Sequence, residues 1–203
     1  MRSLTVDTPR GPAEVQITDP VGAAISLLVL GHGAGGGVTA PDIVRVHDAA
    51  VAAGVRVARV TQPYRVAGRR APAPAHHLDE AWSAVVRHLV GKQRTKLPLL
   101  VGGRSSGARV ACRTAAELGA AGVVCLAFPL HPPGRPDRSR ATELTTAVPT
   151  LVVNGDRDPF GVPEPSVVVQ VAVRPGATHD LRTGLTGTAD IVLAWLRDHG
   201  WSR

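Results

Sequence analysis

Ser105 stands in Gly103-Arg104-Ser105-Ser106-Gly107, a G-x-S-x-G pattern. An apolar run, Leu97 to Gly102, precedes it, and a helical pattern of Ala, Val and Cys follows. Between a strand and a helix this pattern has a mechanical meaning. The chain must reverse so sharply that the serine takes a strained backbone conformation, and small residues two before and two after it keep strand and helix from clashing. The hydroxyl is then held at the tip of a turn. The plainer alternative is a Gly-rich β–α turn that binds phosphate or nothing.

A serine hydroxyl is a poor nucleophile unless a base takes its proton and a third group orients the base. With a G-x-S-x-G turn the partners follow in the order serine, acid, histidine. The chain offers Asp156 or Asp158 in Asn154-Gly155-Asp156-Arg157-Asp158-Pro159-Phe160-Gly161, then His179 in Ala177-Thr178-His179-Asp180-Leu181. Asp158 is the preferred acid, because Asp156 lies nearer the strand and suits bracing the turn. His47, His88 and His199 fall in or at the end of helical patterns, and His76 and His77 near a helix start. His131 follows the next strand and is placed to line a pocket.

Acyl transfer also needs donors for the developing oxyanion. The backbone N–H of Ser106 would open the following helix, where the dipole helps. The second donor is expected from Gly31-His32-Gly33-Ala34-Gly35-Gly36-Gly37, at Ala34. That stretch carries no Gly-Lys-Ser/Thr, so it is not a Walker loop. Gly31, Gly33 and Gly36 fit the dinucleotide fingerprint in letters, but Val60-Thr61-Gln62 stands where an acidic ribose contact is required.

The elements that must position these residues alternate. Residues 3–7 and 13–18 alternate apolar and polar about Pro9-Arg10-Gly11-Pro12, the mark of an edge hairpin within residues 1–20. Strands are expected at Ala24–Leu30, Val55–Val60, Leu97–Gly102, Gly122–Ala127 and Thr150–Val153. Val167–Val173 is ambiguous between a strand and a short helix plus strand. Helices are expected at Pro41–Ala53, Leu78–Val90, Ser106–Leu118 and Thr188–His199, with loops at 61–75 and 129–140. This predicts an α/β protein with a mostly parallel central sheet and helices on both faces. In such sheets, sites form beyond the carboxyl ends of the strands. Residues 1–203 read as a single domain, without internal repeat or linker.

Composition narrows the class. The chain has 203 residues, 44% hydrophobic, and a net charge of +7. Its arginines are scattered and no aromatic ladder accompanies them, which argues against nucleic-acid binding. The expected partner is a small-molecule, ester-like substrate. Cys112 and Cys125 lie in apolar context and read as free buried thiols of a reducing cytosol. No secretory apolar stretch opens the chain and no run of 18 apolar residues occurs, so a cytoplasmic location without a membrane span is expected. No metal is expected: His76-His77 and Asp79-Glu80 are adjacent, and neighbours on a helix do not share a face.

Together these motifs resemble the α/β-hydrolase superfamily. More narrowly, the chain is similar to the Tex30/KANSL3-like group, near the dienelactone-hydrolase-like enzymes. The pieces that carry the likeness are His32-Gly33-Ala34-Gly35, Gln62-Pro63-Tyr64-Arg65, Gly68-Arg69-Arg70-Ala71-Pro72, Gly102-Gly103-Arg104-Ser105-Ser106-Gly107, Phe128-Pro129-Leu130-His131-Pro132-Pro133-Gly134, and the segments around Asp158 and His179. The resemblance implies a single-domain α/β-hydrolase acting as a serine esterase or related acyl hydrolase, with no cofactor. Ser105, Asp158 and His179 would be the triad, with Ala34 and Ser106 as oxyanion donors. The pocket lining expected from these segments is His32, Tyr64, Arg65, His131 and Phe160. Arg65, Arg69 or Arg70 is a candidate for attracting an anionic group. Ser106 departs from the group, which often has a larger residue such as methionine there. Residues 128–140 are too few for a cap domain, so an open, shallow site is expected. Some members of the group serve as scaffolds, but this chain retains the full set of reactive residues.

Overall fold

The computed structural model describes residues 1–93 and 95–203. Eight strands form one sheet in the order β1-β2-β4-β3-β5-β6-β7-β8. β1 (Arg2–Thr8) and β2 (Gly11–Thr18) make the expected antiparallel hairpin at one edge, and β2 pairs antiparallel with β4 (Val55–Thr61). From β4 onward through β3 (Ser26–Gly31), β5 (Leu99–Arg104), β6 (Gly122–Leu126), β7 (Thr150–Gly155) and β8 (Val169–Arg174) every pairing is parallel. The stretch at 167–173, ambiguous by pattern, is thus the far edge strand. Its burial is partial, which is why neither a continuous apolar run nor a clean alternation marks it.

Burial explains the order. β3, β6 and β7 are buried along their whole length, and β5 all but its last residue. A strand covered on both faces must be apolar throughout, and Leu27-Leu28-Val29-Leu30 and Leu151-Val152-Val153 are. β1 and β2 alternate, as suits an edge with one wet face. On one face lie α1 (Pro41–Ala52) and α5 (Leu185–Asp198), closing over Leu28, Leu30, Leu126 and Val153. On the other lie α3 (Ala75–Gly91) and α4 (Ser106–Thr114), closing over Val29, Val101 and Val152 around Trp82 and Phe128. Cys112 and Cys125 are free and buried in this second layer, their sulfurs 3.4 Å apart.

Several boundaries differ from the sequence pattern: β3 and β5 start two residues later than expected and α5 three residues earlier. The 61–75 segment holds a four-residue helix, α2 (Pro63–Val66), opened by Pro63 at its first position; one turn is too short to leave a periodic signature. α3 begins three residues earlier than its apolar face announces. The regular part of α4 ends at Thr114, but helical turns continue to Gly119. There, Ala120 N–H donates to Ala115 and Gly119 N–H to Ala116, the paired bonds of a Schellman stop.

Ion pairs pin α4 from outside. Glu143, in a 3₁₀ turn at Ala141–Leu144, accepts from Arg109 at 2.6 and 2.8 Å and from Arg113 at 3.0 Å; Arg113 also reaches Asp79 on α3. Burial pushes the Glu143 carboxyl up, but Arg109 and Arg113 outweigh that and hold it below its ordinary value. A carboxyl depressed by folding stabilises the fold above its unfolded pKa and loses that contribution as pH falls through the folded one. Glu143→Gln is therefore expected to cost about 1–2 kcal/mol at pH 7. The gap from wild type should close as pH drops below about 4. Urea midpoints at the two pH values check both parts.

Candidate active site

The polar residues gather at the carboxyl ends of the parallel strands, because the apolar middle of each central strand is spent on core and the loops that follow carry the polar side chains. Ser105 follows β5 directly and precedes α4. Its φ is 52° and its ψ −111°, the strained turn expected of it. The tight geometry needs glycine on both sides. A Cβ on Gly103 would stand 2.6 Å from the Gly31 carbonyl oxygen, and one on Gly107 2.7 Å from the same backbone. β3, β5 and α4 thus meet at bare main chain, and that contact presses the glycine-rich loop after β3 against the serine.

Loops after β7 and β8 supply the rest. His179 Nε2 lies 2.9 Å from Ser105 Oγ, and His179 Nδ1 lies 2.8 Å from Asp158 Oδ2. A carboxylate has no proton to give, so Nδ1 carries the hydrogen and Nε2 presents a lone pair to the serine hydroxyl. The Asp158 side chain is wholly buried, and its Oδ1 accepts from Phe160 N–H at 2.9 Å. The Phe160 ring lies over His179 with centroids 4.1 Å apart, so its apolar face covers one side of the imidazole.

Asp156 is turned elsewhere. Its Oδ1 accepts from Gly176 N–H at 2.8 Å, which braces the β7 turn against the loop that carries His179. Arg157 N–H donates to Ala177 across the same junction. Asn154, at the end of β7 and fully buried, escaped notice as more than a motif letter. It exchanges hydrogen bonds with the backbone of Phe128 and donates to Gly161 O at 3.0 Å, closing the Asp158 loop onto the end of β6. A buried amide ending an apolar strand is the signal that marks it.

The other expected residues fall into two groups. His32 and Tyr64 line a small cavity that also touches Ser106 and Trp82. Both are committed to scaffolding: His32 Nδ1–H donates to Gly33 O, its Nε2 accepts from Gln62 N–H, and Tyr64 Oη donates to Ala34 O at 3.0 Å. Burial pushes the His32 pKa down, in keeping with a neutral ring that donates at one nitrogen and accepts at the other. These bonds fix the main chain of Gly33 and Ala34, and Gly33 lies against Ser105. A Cβ on Gly33 would stand 3.5 Å from Ser105 Cβ. His131 joins Phe160, which covers the His179 ring: His131 N–H donates to Phe160 O, and its ring packs on Gly161. Arg65 is half-buried, and its guanidinium donates to Arg69 O at 3.5 Å within its own loop. Arg69 lines a shallow groove with Arg10 and His77, and Arg70 is exposed. Of the three, Arg65 stands near enough to His32 for its charge to help lower that ring's pKa.

Between β6 and β7 the chain holds only a loop and the 3₁₀ turn, with no cap over the hydroxyl. Among the described residues no helix is long and apolar enough to cross a membrane.

Solved structures share this architecture. An α/β serine hydrolase homologue from Coxiella burnetii superposes with a TM-score of 0.80 at 22% identity, covering 96% of this chain and 97% of that one. A lidless α/β serine hydrolase from Xanthomonas campestris gives 0.77 at 21%, covering 98% and 94%. Dienelactone hydrolase from Anabaena variabilis gives 0.80 at 19%, covering 100% and 98%. Identities this low speak for the fold alone. A search of curated protein sequences finds no match. The sequence profile of the alpha/beta hydrolase domain, however, matches residues 24–184, from the strand that leads into the glycine loop to the turn beyond His179. With the fold, the strand-end serine and the profile agreeing over most of its length, the chain belongs to the alpha/beta hydrolase domain family.

Proposed function

We propose that this protein is a serine esterase or related acyl hydrolase acting on a small, ester-like substrate. The observation that carries the proposal is the unbroken line from Ser105 Oγ through the His179 ring to Asp158, at 2.9 and 2.8 Å, on a serine whose φ is 52°. Ser105 attacks the carbonyl carbon as His179 Nε2 takes its proton. Asp158 holds the imidazole in the tautomer with the hydrogen on Nδ1 and stabilises the imidazolium. The oxyanion is met by the N–H of Ser106, at the first turn of α4, and the N–H of Ala34. His179 then returns the proton to the leaving group. Water, activated by the same histidine, releases the acyl group.

Every step uses side chains and main chain of this protein and needs no cofactor. The uncapped strand ends favour a short or extended acyl substrate over one that must be enclosed. His131, Phe160 and the Tyr64–Ala34 contact would form its rim. A place in the Tex30/KANSL3-like group and a cytoplasmic location fit this reading. An alkyl fluorophosphonate probe tests it: covalent labelling should map to the peptide containing Ser105 and be lost on heat denaturation. Labelling absent from the native protein, or spread over other serines, would overturn the assignment and favour a catalytically silent binding protein.

A further inference from the structure

Arg104 fills the variable place between Gly103 and Ser105, and acyl transfer as described above gives it no task. Its side chain is nonetheless mostly buried, 15% exposed, against the catalytic constellation. Three segments converge on its guanidinium. Nη2 donates to the main-chain carbonyl of His179 at 3.1 Å. Nε lies 3.1 Å from Oδ2 of Asp42, the second residue of α1. Nη1 faces the glycine loop, where a Cβ on Gly33 would stand 3.0 Å from it. Asp42 is 1% exposed, so the counter-charge is buried as well. Neither Asp42 oxygen accepts a well-aligned hydrogen bond, which leaves the pair held by charge and packing. Burial pushes the Asp42 carboxyl up, and the Arg104 charge opposes that shift.

A buried cation on a nucleophile's own strand needs a reason, because a Val or Leu would fill the space without desolvating a charge. His179 supplies one. Its ring is held by Asp158 and Ser105, yet its main chain lies in a loop of turns between β8 and α5. Nothing in regular secondary structure fixes that backbone. Asp156 and Arg157 brace the start of that loop, and a charge-assisted bond to the His179 carbonyl itself, from the residue next to the nucleophile, holds it at the relay.

Resting on the hydrolase reading, we propose that Arg104 is a positioning residue for the proton relay. It clamps the His179 main chain to the strand that presents Ser105, while Asp42 holds the guanidinium in place. The planar fork suits this because its separate nitrogens place Nε beside Asp42 and Nη2 at the His179 carbonyl at once, a spread that the single nitrogen of a lysine ammonium lacks.

The test uses the full chain with Arg104→Met, Arg104→Lys and Asp42→Asn. Steady-state hydrolysis of p-nitrophenyl acetate gives kcat and KM separately, and hydrogen–deuterium exchange of the peptide spanning residues 176–183 reads the loop without reference to activity. Arg104→Met should lower kcat about 10- to 100-fold with KM within about twofold, the size expected when a reacting group is misplaced by an ångström. Exchange in 176–183 should quicken while that of α4 stays unchanged. Arg104→Lys should keep the wild-type unfolding midpoint yet recover little of kcat, and Asp42→Asn should shift both readouts in the same direction by less. Wild-type kcat and unchanged loop exchange in Arg104→Met would overturn the proposal, and so would full recovery of both by Arg104→Lys. If Arg104→Met does not fold, Arg104→Lys and Asp42→Asn decide the matter. If the wild type itself shows no turnover that depends on Ser105, the hydrolase reading falls, while loop exchange still decides the clamp.

Discussion

Ser105→Ala is expected to lower kcat/KM for p-nitrophenyl acetate by roughly 10⁵- to 10⁶-fold. The hydroxyl is the only atom removed, and it is the atom that forms the bond to the substrate carbonyl. His179 cannot compensate, because its Nε2 then points at a methyl group and general-base attack by water must start from a new position. The backbone donors at Ala34 and Ser106 persist, so a remnant of about 10³- to 10⁴-fold over the uncatalysed reaction should survive. The fold should be nearly untouched. Alanine is no more strained than serine at φ 52°, and the loss of one half-exposed hydrogen bond to His179 is worth about 1 kcal/mol. Rates for wild type and Ser105→Ala, with unfolding midpoints for both, separate lost chemistry from lost structure. Equal rates in the two proteins would sink the proposed nucleophile.

The two aspartates make a sharper comparison. Asp158→Asn should lower kcat by about 10⁴-fold with little change in unfolding midpoint. Its new amide N–H would face His179 Nδ1, 2.8 Å away in the native site, and drive the ring's hydrogen to Nε2, so the lone pair needed by Ser105 disappears. Asp156→Ala acts elsewhere. It removes the acceptor for Gly176 N–H and loosens the junction of the β7 and β8 loops. The expected cost is about 1 kcal/mol of stability and less than tenfold in rate. A large rate loss in Asp156→Ala with near-normal activity in Asp158→Asn would exchange their roles.

Much of the architecture was legible because its causes are local. β3 and β7 are buried on both faces, and a strand in that position can be read from four or five consecutive apolar residues. The edge hairpin was legible from alternation about Pro9-Arg10-Gly11-Pro12, and α4 from its position after the Gly-rich turn. β8 was not. One of its faces is partly wet and its neighbour is found only through pairing with β7, so neither pattern is clean. α2 was hidden by its length of one turn.

For the site, residue type and order were enough to nominate Ser105, Asp158 and His179, since a serine on a strained strand-to-helix turn needs a base and an acid that arrive after later strands. Distances were not in the sequence. His179 is 74 residues from Ser105 and 21 from Asp158, and only the stacking of β5, β7 and β8 through the sheet brings their loop ends within hydrogen-bond reach. The division of labour between Asp156 and Asp158 is likewise tertiary: two residues apart on a turn, they point different ways, and which one meets His179 depends on where β8 delivers its loop. Arg104 is the extreme case. As a sequence letter it is the free position of a five-residue motif. Its meeting with Asp42 and the His179 carbonyl requires α1, β5 and the last loop to be in place at once. Local periodicity decided which segments are core and which residues are released at strand ends. Long-range packing alone decided which of the released side chains face one another, because that depends on contacts between segments whose separation along the chain leaves no local trace.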